Sequence, residues 1–410
     1  MTTKTFGRRG AAAPSRVSRP VVRPAAVAAV AAPAPAFDHD LPAHEALMPV
    51  RSLLADIPFL TGGLLVLLLL VFGLEKRLAF DLGKDGQFSV QSLIAFGAVS
   101  RDLVLGSGEW WRIGLAPLLH SSASHLLGNC FAMCVVSLRL EPMIGRGWFA
   151  LIFMVSALGG VAGSLYGNPP DLPSVGASGA ITGLVGALFV MSFHHRADDQ
   201  RAMLKTAAFF GVPALLPLFY ASSSGNVDYF AHAGGALAGG ALGLTLCARW
   251  PADRAHPDFA RFAALVALIG FLGSIVCGGI AATRYAAYRA DAARFIPSVE
   301  MPANLKEGVP QSAELLARYP KDPRAHLIRA FALAEANRLS EAEVKLRATM
   351  AMASSIAGGQ AIRAQAQAIL AVVLLEQGRP DEARTLAAGG CRAKDQAAIT
   401  RLLEKAKLCD

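Results

Sequence analysis

Seven long runs without a charged residue set the first limit on what this chain can fold into. They cover 57–74, 113–138, 147–170, 172–193, 206–227, 229–248 and 262–283. Crossing the hydrocarbon core of a bilayer takes about 20 helical residues. Each run is therefore a candidate membrane span, the first being the shortest and the most dependent on its flanks. Composition agrees: 54% of the residues are hydrophobic and 17% charged, with a mean hydropathy of +0.43. An ordinary soluble domain is less apolar than this. The expected fold class is all-α: a polytopic membrane helix bundle of six core transmembrane helices plus one over 57–283. A soluble α-helical domain follows over 284–410, where charged residues return.

The net charge of +9 raises nucleic acid as a partner, but the basic residues are scattered over loops and termini. No basic helix or aromatic stacking platform accompanies them, so no nucleic acid is expected, and membrane topology explains the charge. Residues 1–56 are rich in Ala, Pro and Arg, which suits a disordered cytoplasmic arm and is also compatible with a transit peptide. With that arm inside, Arg139 and Arg146, then Arg196, Arg201 and Lys205, then Arg249, Arg254 and Arg261 fall in inner loops. The outer loops 167–177 and 221–228 carry no Lys or Arg, which is the positive-inside pattern. Seven spans then leave the tail outside, although Arg284, Arg289 and Arg294 at the outer end of the seventh run go against the bias. The loop 75–112 carries Phe88, Leu93, Ile94 and Phe96 and is expected to lie in the membrane interface, with Trp111 as an interface anchor. Cys130, Cys134, Cys247 and Cys277 read as small hydrophobes, while Cys391 and Cys409 would pair in an oxidising compartment.

This orientation brings polar residues from separate runs to one depth. Runs two, four and six all enter from the outside. Early in them stand His120, His125 and Asn129, then Ser178 within Gly176-Ala177-Ser178-Gly179, then His232. Ionisable groups inside a membrane are costly and are functional candidates by default. Gly235, Gly239 and Gly243 form one helical face, and Gly179, Gly183 and Ala187 a matching one, so two backbones can approach closely. That approach would bring His232 near Ser178; glycine packing with a singly hydrogen-bonded histidine remains the other reading. No acidic or basic residue lies centrally in a run, which disfavours a transporter or channel. His194-His195-Arg196 reads as an inner interface flank, and no metal or cofactor is expected.

Taken together, these residues resemble the rhomboid intramembrane serine proteases over roughly 105 to 245. The matches are Gly176-Ala177-Ser178-Gly179, Ala231-His232 with the three glycines, His125-x-x-x-Asn129, Trp111-Arg112, and Glu141 with Gly145. The resemblance implies that Ser178 is the nucleophile and His232 its general base, without an acidic third member. It implies Asn129 and His125 as oxyanion donors, and Gly176, Gly179 and Gly235 as shaping the site. The substrates implied are transmembrane proteins cleaved within the lipid bilayer in or near its outer leaflet. The setting implied is a multi-pass protein, most simply of a bacterial inner membrane with a cytoplasmic N-terminus. A catalytically inert relative that binds transmembrane clients is the alternative. Thr182 departs from the family, which often has an aromatic residue there stacked on the base histidine. Restraint of His232 is thus in question, and Thr182→Tyr is expected to raise activity or leave it unchanged.

The tail contains two similar segments, Leu333-Ala334-Glu335-Ala336-Asn337-Arg338 with Glu341-Ala342, and Leu374-Leu375-Glu376-Gln377-Gly378-Arg379 with Glu382-Ala383. They resemble tetratricopeptide repeats, which implies a helical module with a protein partner.

Overall fold

The computed structural model describes residues 58–409 except 84, 195–196, 198, 220–226, 252, 355, 357–358 and 392–396. The amino-terminal arm, His195 and Arg196 thus lie outside the described residues. Helix α1 is Phe59–Leu78. Its first turn is closed by a distant carboxylate, since Glu141 accepts from the N–H groups of Leu60 and Thr61, each at 2.9 Å. The Thr61 hydroxyl donates to the same group at 2.6 Å. An anion at a helix N-terminus satisfies orphan donors and meets the positive end of the dipole.

The following loop carries α2 (Val90–Phe96) and α3 (Arg112–Leu115). Phe88, Leu93 and Phe96, expected in the membrane interface, are instead buried together against Phe72 of α1 and Tyr285. Trp111 is likewise no interface anchor, being 2% exposed and packed on Cys277 and Ala281. The loop folds back onto protein, where these side chains are shielded from water more fully than at a lipid headgroup.

The bundle continues with α4 (Ala123–Ile144), α5 (Arg146–Gly167), α6 (Ser178–Met191), α7 (Gln200–Leu215), α8 (Tyr229–Arg249) and α9 (Ala260–Ala292). Five of these apolar helices, α1, α4, α5, α8 and α9, are long and apolar enough to cross a membrane. The other two runs form shorter helices, 14 residues in α6 and 16 in α7. Helix α6 is the central one, with most of its residues buried by its neighbours, so lipid does not dictate its length. Large apolar side chains such as Leu70, Leu237 and Ile275 point outward, as lipid-facing residues do. The protein is an integral, multi-pass membrane protein with an all-α fold.

Small residues bring α5, α6 and α8 into backbone contact. A methyl group on Gly235 would lie 1.9 Å from the Gly179 carbonyl oxygen, and one on Gly239 would lie 2.1 Å from that of Gly183. Gly243 meets Ala187, and on the other side Gly163 of α5 faces the Phe230 carbonyl. The pairing of 235, 239 and 243 with 179, 183 and 187 is the one their common four-residue spacing predicts.

Beyond α9 lie two short helices, α10 (Leu305–Gly308) and α11 (Ser312–Arg318). They precede α12 (Pro323–Glu335), α13 (Leu339–Ala353), α14 (Gly359–Glu376), α15 (Pro380–Cys391) and α16 (Ala397–Lys405). The two similar segments form the corners of the α12–α13 and α14–α15 hairpins. Asn337 and Gly378 take left-handed conformations just past α12 and α14. Arg338 N–H then returns to Leu333 O, and Arg379 N–H to Leu374 O, each at 2.9 Å, which closes both helices in the same way. Arg338 and Arg379 each grip the glutamate three residues on, Glu341 and Glu382. Cys391 and Cys409 form a disulfide that ties the residues following α16 back to α15.

Candidate active site

Helix α6 starts at Ser178 because the backbone before it turns sharply. Gly176 has φ +132°, a conformation that favours glycine, and a methyl group there would lie 2.7 Å from the His125 ring. Ala177 occupies the cap position and supplies no side-chain hydrogen bond, so the N–H groups of the first turn have no side-chain cap. Ser178 is half-buried.

His232 stands in the first turn of α8, with its ring Nδ1 3.0 Å from the carbonyl oxygen of Ala214 in α7. A ring nitrogen facing a carbonyl oxygen carries the hydrogen, which leaves Nε2 free to accept a proton. Tyr229 sits edge-on to the ring at 6.1 Å between centroids. His125 and Asn129 come from the start of α4, which Ser122 caps by accepting from His125 N–H at 3.2 Å. The Ser121 hydroxyl is 3.2 Å from His125 Nδ1. As donor to that nitrogen it leaves the hydrogen on Nε2, the atom nearer Gly176. Asn129 Nδ2 lies 2.9 Å from Nε2 of the fully buried His120, leaving its second hydrogen for the site. Behind His120, Glu75 accepts from its backbone N–H. One cavity of about 520 Å³ is lined by Ser178, His232, His125 and Asn129 together, with Thr182, Ala214, Ser174 and Asp228 among its other walls.

Several of these contacts have no signal in the sequence. The Ala214 carbonyl is a backbone atom that any residue would supply. Thr182 is buried, and its hydroxyl lies 3.0 Å from the carbonyl oxygens of Ser178, Gly179 and His232. Replacing Thr182 by tyrosine would withdraw this hydroxyl from the His232 carbonyl, a contact that the expectation of raised or unchanged activity did not include. Glu75 falls one residue past the first uncharged run. His194 stacks on Trp250 at 4.3 Å.

Arg112 is fully buried beside the site's flanking loop. It pairs with Glu109 at 2.6 Å and donates to the carbonyls of Ile94 and Ala98. Glu109 also accepts from Tyr288 of α9 at 2.5 and 2.6 Å and meets Arg284 at 3.4 Å. The arginine at the end of α9 that opposed the charge bias thus has a partner, as does Arg294, paired with Asp291.

A helical membrane bundle with a serine, histidines and an asparagine around one cavity at the head of a short central helix defines a class of protein. Residues 107–249 match the family model described as the Rhomboid domain. YdcA, a rhomboid relative from Bacillus subtilis, is 36% identical over 149 residues, which is 36% of this chain and 71% of that protein. The rhomboid protease GluP of the same organism is 34% identical over 163 residues, 39% of this chain. That alignment covers only 31% of GluP, so this chain spans under a third of that relative. The rhomboid protease AarA of Providencia stuartii is 29% identical over 175 residues, 37% of this chain and 61% of its own length. The chain belongs to the rhomboid family.

Proposed function

We infer that this protein is an intramembrane serine endopeptidase that cleaves transmembrane protein substrates in or near the outer leaflet. Ser178 Oγ attacks the scissile carbonyl while His232 Nε2 takes its proton, and the same nitrogen later delivers that proton to the leaving amine. The oxyanion is met by the Ser178 N–H, one Asn129 amide hydrogen and His125 Nε2–H. Water entering the cavity then releases the acyl group. The observation that carries this reading is the tether of His232 Nδ1 to the Ala214 carbonyl. It supplies the tautomer that an acid supplies in a triad, so a dyad suffices. No cofactor enters the scheme.

We place the protein in a bacterial inner membrane with a cytoplasmic N-terminus, so that the Ser178 end of the bundle faces outside. The membrane domain is 57–283, after the arm 1–56. The tail, 284–410, is a tetratricopeptide-like module for a protein partner.

Two measurements on detergent-solubilised protein test the reading. Ser178→Ala and His232→Ala each abolish cleavage of a transmembrane reporter, and Asn129→Ala lowers turnover by about 10²–10³. A fluorophosphonate labels Ser178 in the wild type and not after His232→Ala. Equal cleavage by wild type and Ser178→Ala would make the protein an inert client-binding relative with a contaminating protease.

A further inference from the structure

The two segments that carry Ser178 and His232 are joined a second time, through side chains. Ser174 stands four positions before Ser178, and Asp228 four before His232. The Ser174 hydroxyl donates to Asp228 Oδ2 at 2.6 Å. The other carboxylate oxygen accepts the Ala231 N–H at 2.8 Å and so caps α8. Asp228 also accepts His232 N–H on its backbone carbonyl at 3.1 Å. Ser174 is itself fixed, exchanging backbone hydrogen bonds with Val99 at 2.7 and 3.0 Å. Both residues line the cavity that holds Ser178 and His232.

Capping alone would explain one oxygen of Asp228. It does not explain the second, which is aimed at the loop leading to Ser178. Asp228 is also not a third catalytic member, because His232 Nδ1 is occupied by Ala214 and not by this carboxylate. A short hydroxyl–carboxylate bond is among the stronger hydrogen bonds. Here it spans the gap between a loop and a helix whose next turns bear the two reacting groups.

We propose that Asp228 is a positioning residue that clasps Ser174 and thereby sets the separation and alignment of Ser178 and His232. The clasp rests on the dyad reading above. Displacing reacting atoms by about 1 Å costs on the order of 10²-fold in rate, so losing a clasp of this kind lowers the chemical step by about tenfold or more.

The test uses the full-length solubilised protein with Ser174→Ala, Ser174→Thr, Asp228→Ala and the Ser174→Ala/Asp228→Ala double variant. Four quantities are read: the rate of fluorophosphonate labelling at Ser178, kcat and KM for a transmembrane reporter, and Tm. Ser174→Ala keeps the α8 cap, so it lowers labelling rate and kcat together by about tenfold, with KM and Tm near the wild-type values. Ser174→Thr, which keeps the hydroxyl, restores both rates. In the Asp228→Ala background, Ser174→Ala adds no further loss. A folded Ser174→Ala protein with wild-type labelling and kcat overturns the clasp, and so do losses that multiply in the double variant. If Asp228→Ala does not fold, the Ser174 pair decides the matter alone. Failure of the wild type to label at Ser178 sinks the dyad and the clasp with it. Wild-type labelling that Ser174→Ala leaves unchanged sinks the clasp only.

Discussion

Thr182 lies one turn into α6, and its single hydroxyl proton has three carbonyl oxygens within reach, from Ser178, Gly179 and His232. The first two are the local acceptors any helical threonine can use, while the third belongs to α8. Thr182 therefore couples the two helices at the level of the site. The His232 ring is held by the Ala214 carbonyl and flanked by the edge of Tyr229. Thr182→Val keeps the shape and removes the bond, so it should cost about 1 kcal/mol of stability and lower activity modestly. Thr182→Tyr also withdraws the hydroxyl from the His232 carbonyl and should lower Tm and activity together. Thermal melts of the purified variants beside reporter cleavage check both. A stable, fully active Thr182→Tyr protein would show that the α6–α8 contact is loose.

At the scale of elements, the bundle is held by two different devices. Along α5, α6 and α8 it is the absence of side chains, with carbonyl oxygens where a methyl group would be. Van der Waals contact and weak hydrogen bonds at that distance hold helices for which lipid provides no hydrophobic drive. The device at α9 is a charged network. Glu109 joins Arg112 in the loop to Tyr288 and Arg284 on the helix, and Arg112 in turn holds the carbonyls of Ile94 and Ala98. Removing one partner of a buried pair leaves an uncompensated charge, at a cost of about 3–5 kcal/mol. Glu109→Ala should therefore be strongly destabilising. Tyr288→Phe loses a hydrogen bond to a charged group and should cost about 1.5–3 kcal/mol. Arg284→Ala, at a half-exposed pair, should cost under about 1 kcal/mol. Denaturation of the three variants should reproduce that order. A silent Glu109→Ala would mean the network does not hold α9.

Over the whole molecule, the tail meets the membrane bundle at the Ser178 end. Asp81, just past α1, accepts from the N–H and the hydroxyl of Ser298 at 2.8 and 2.9 Å. Asp171, in the loop before Ser178, accepts from Gln360 N–H at 2.6 Å and so caps α14. The tail thus shares a side with the cavity mouth, and disulfides such as Cys391–Cys409 persist in oxidising compartments. A membrane-impermeant maleimide added to intact cells should label Cys391 and Cys409 only after reduction. Labelling that requires membrane rupture would put the tail, and with it the mouth, on the inside. Labelling from outside without reduction would keep the topology and remove the disulfide.

The sequence by itself determined the class of fold and the order of the polar groups along it. Uncharged runs of bilayer length can satisfy their backbone only as helices, and a four-residue glycine spacing can face only one side of one. It also named the residues that gather at the cavity, because Ser178, His232, His125 and Asn129 all stand at or near helix starts. Tertiary structure decided the rest. That α6 is short and central follows from what surrounds it, and so does the burial of Trp111 and Phe88. The tautomer of His232 hangs on the Ala214 carbonyl, and the grip on its backbone on the Thr182 hydroxyl. Backbone acceptors carry no residue signature, and a buried polar contact depends on which distant segment arrives to make it. Periodicity is written locally, whereas hydrogen-bond partners are chosen by packing.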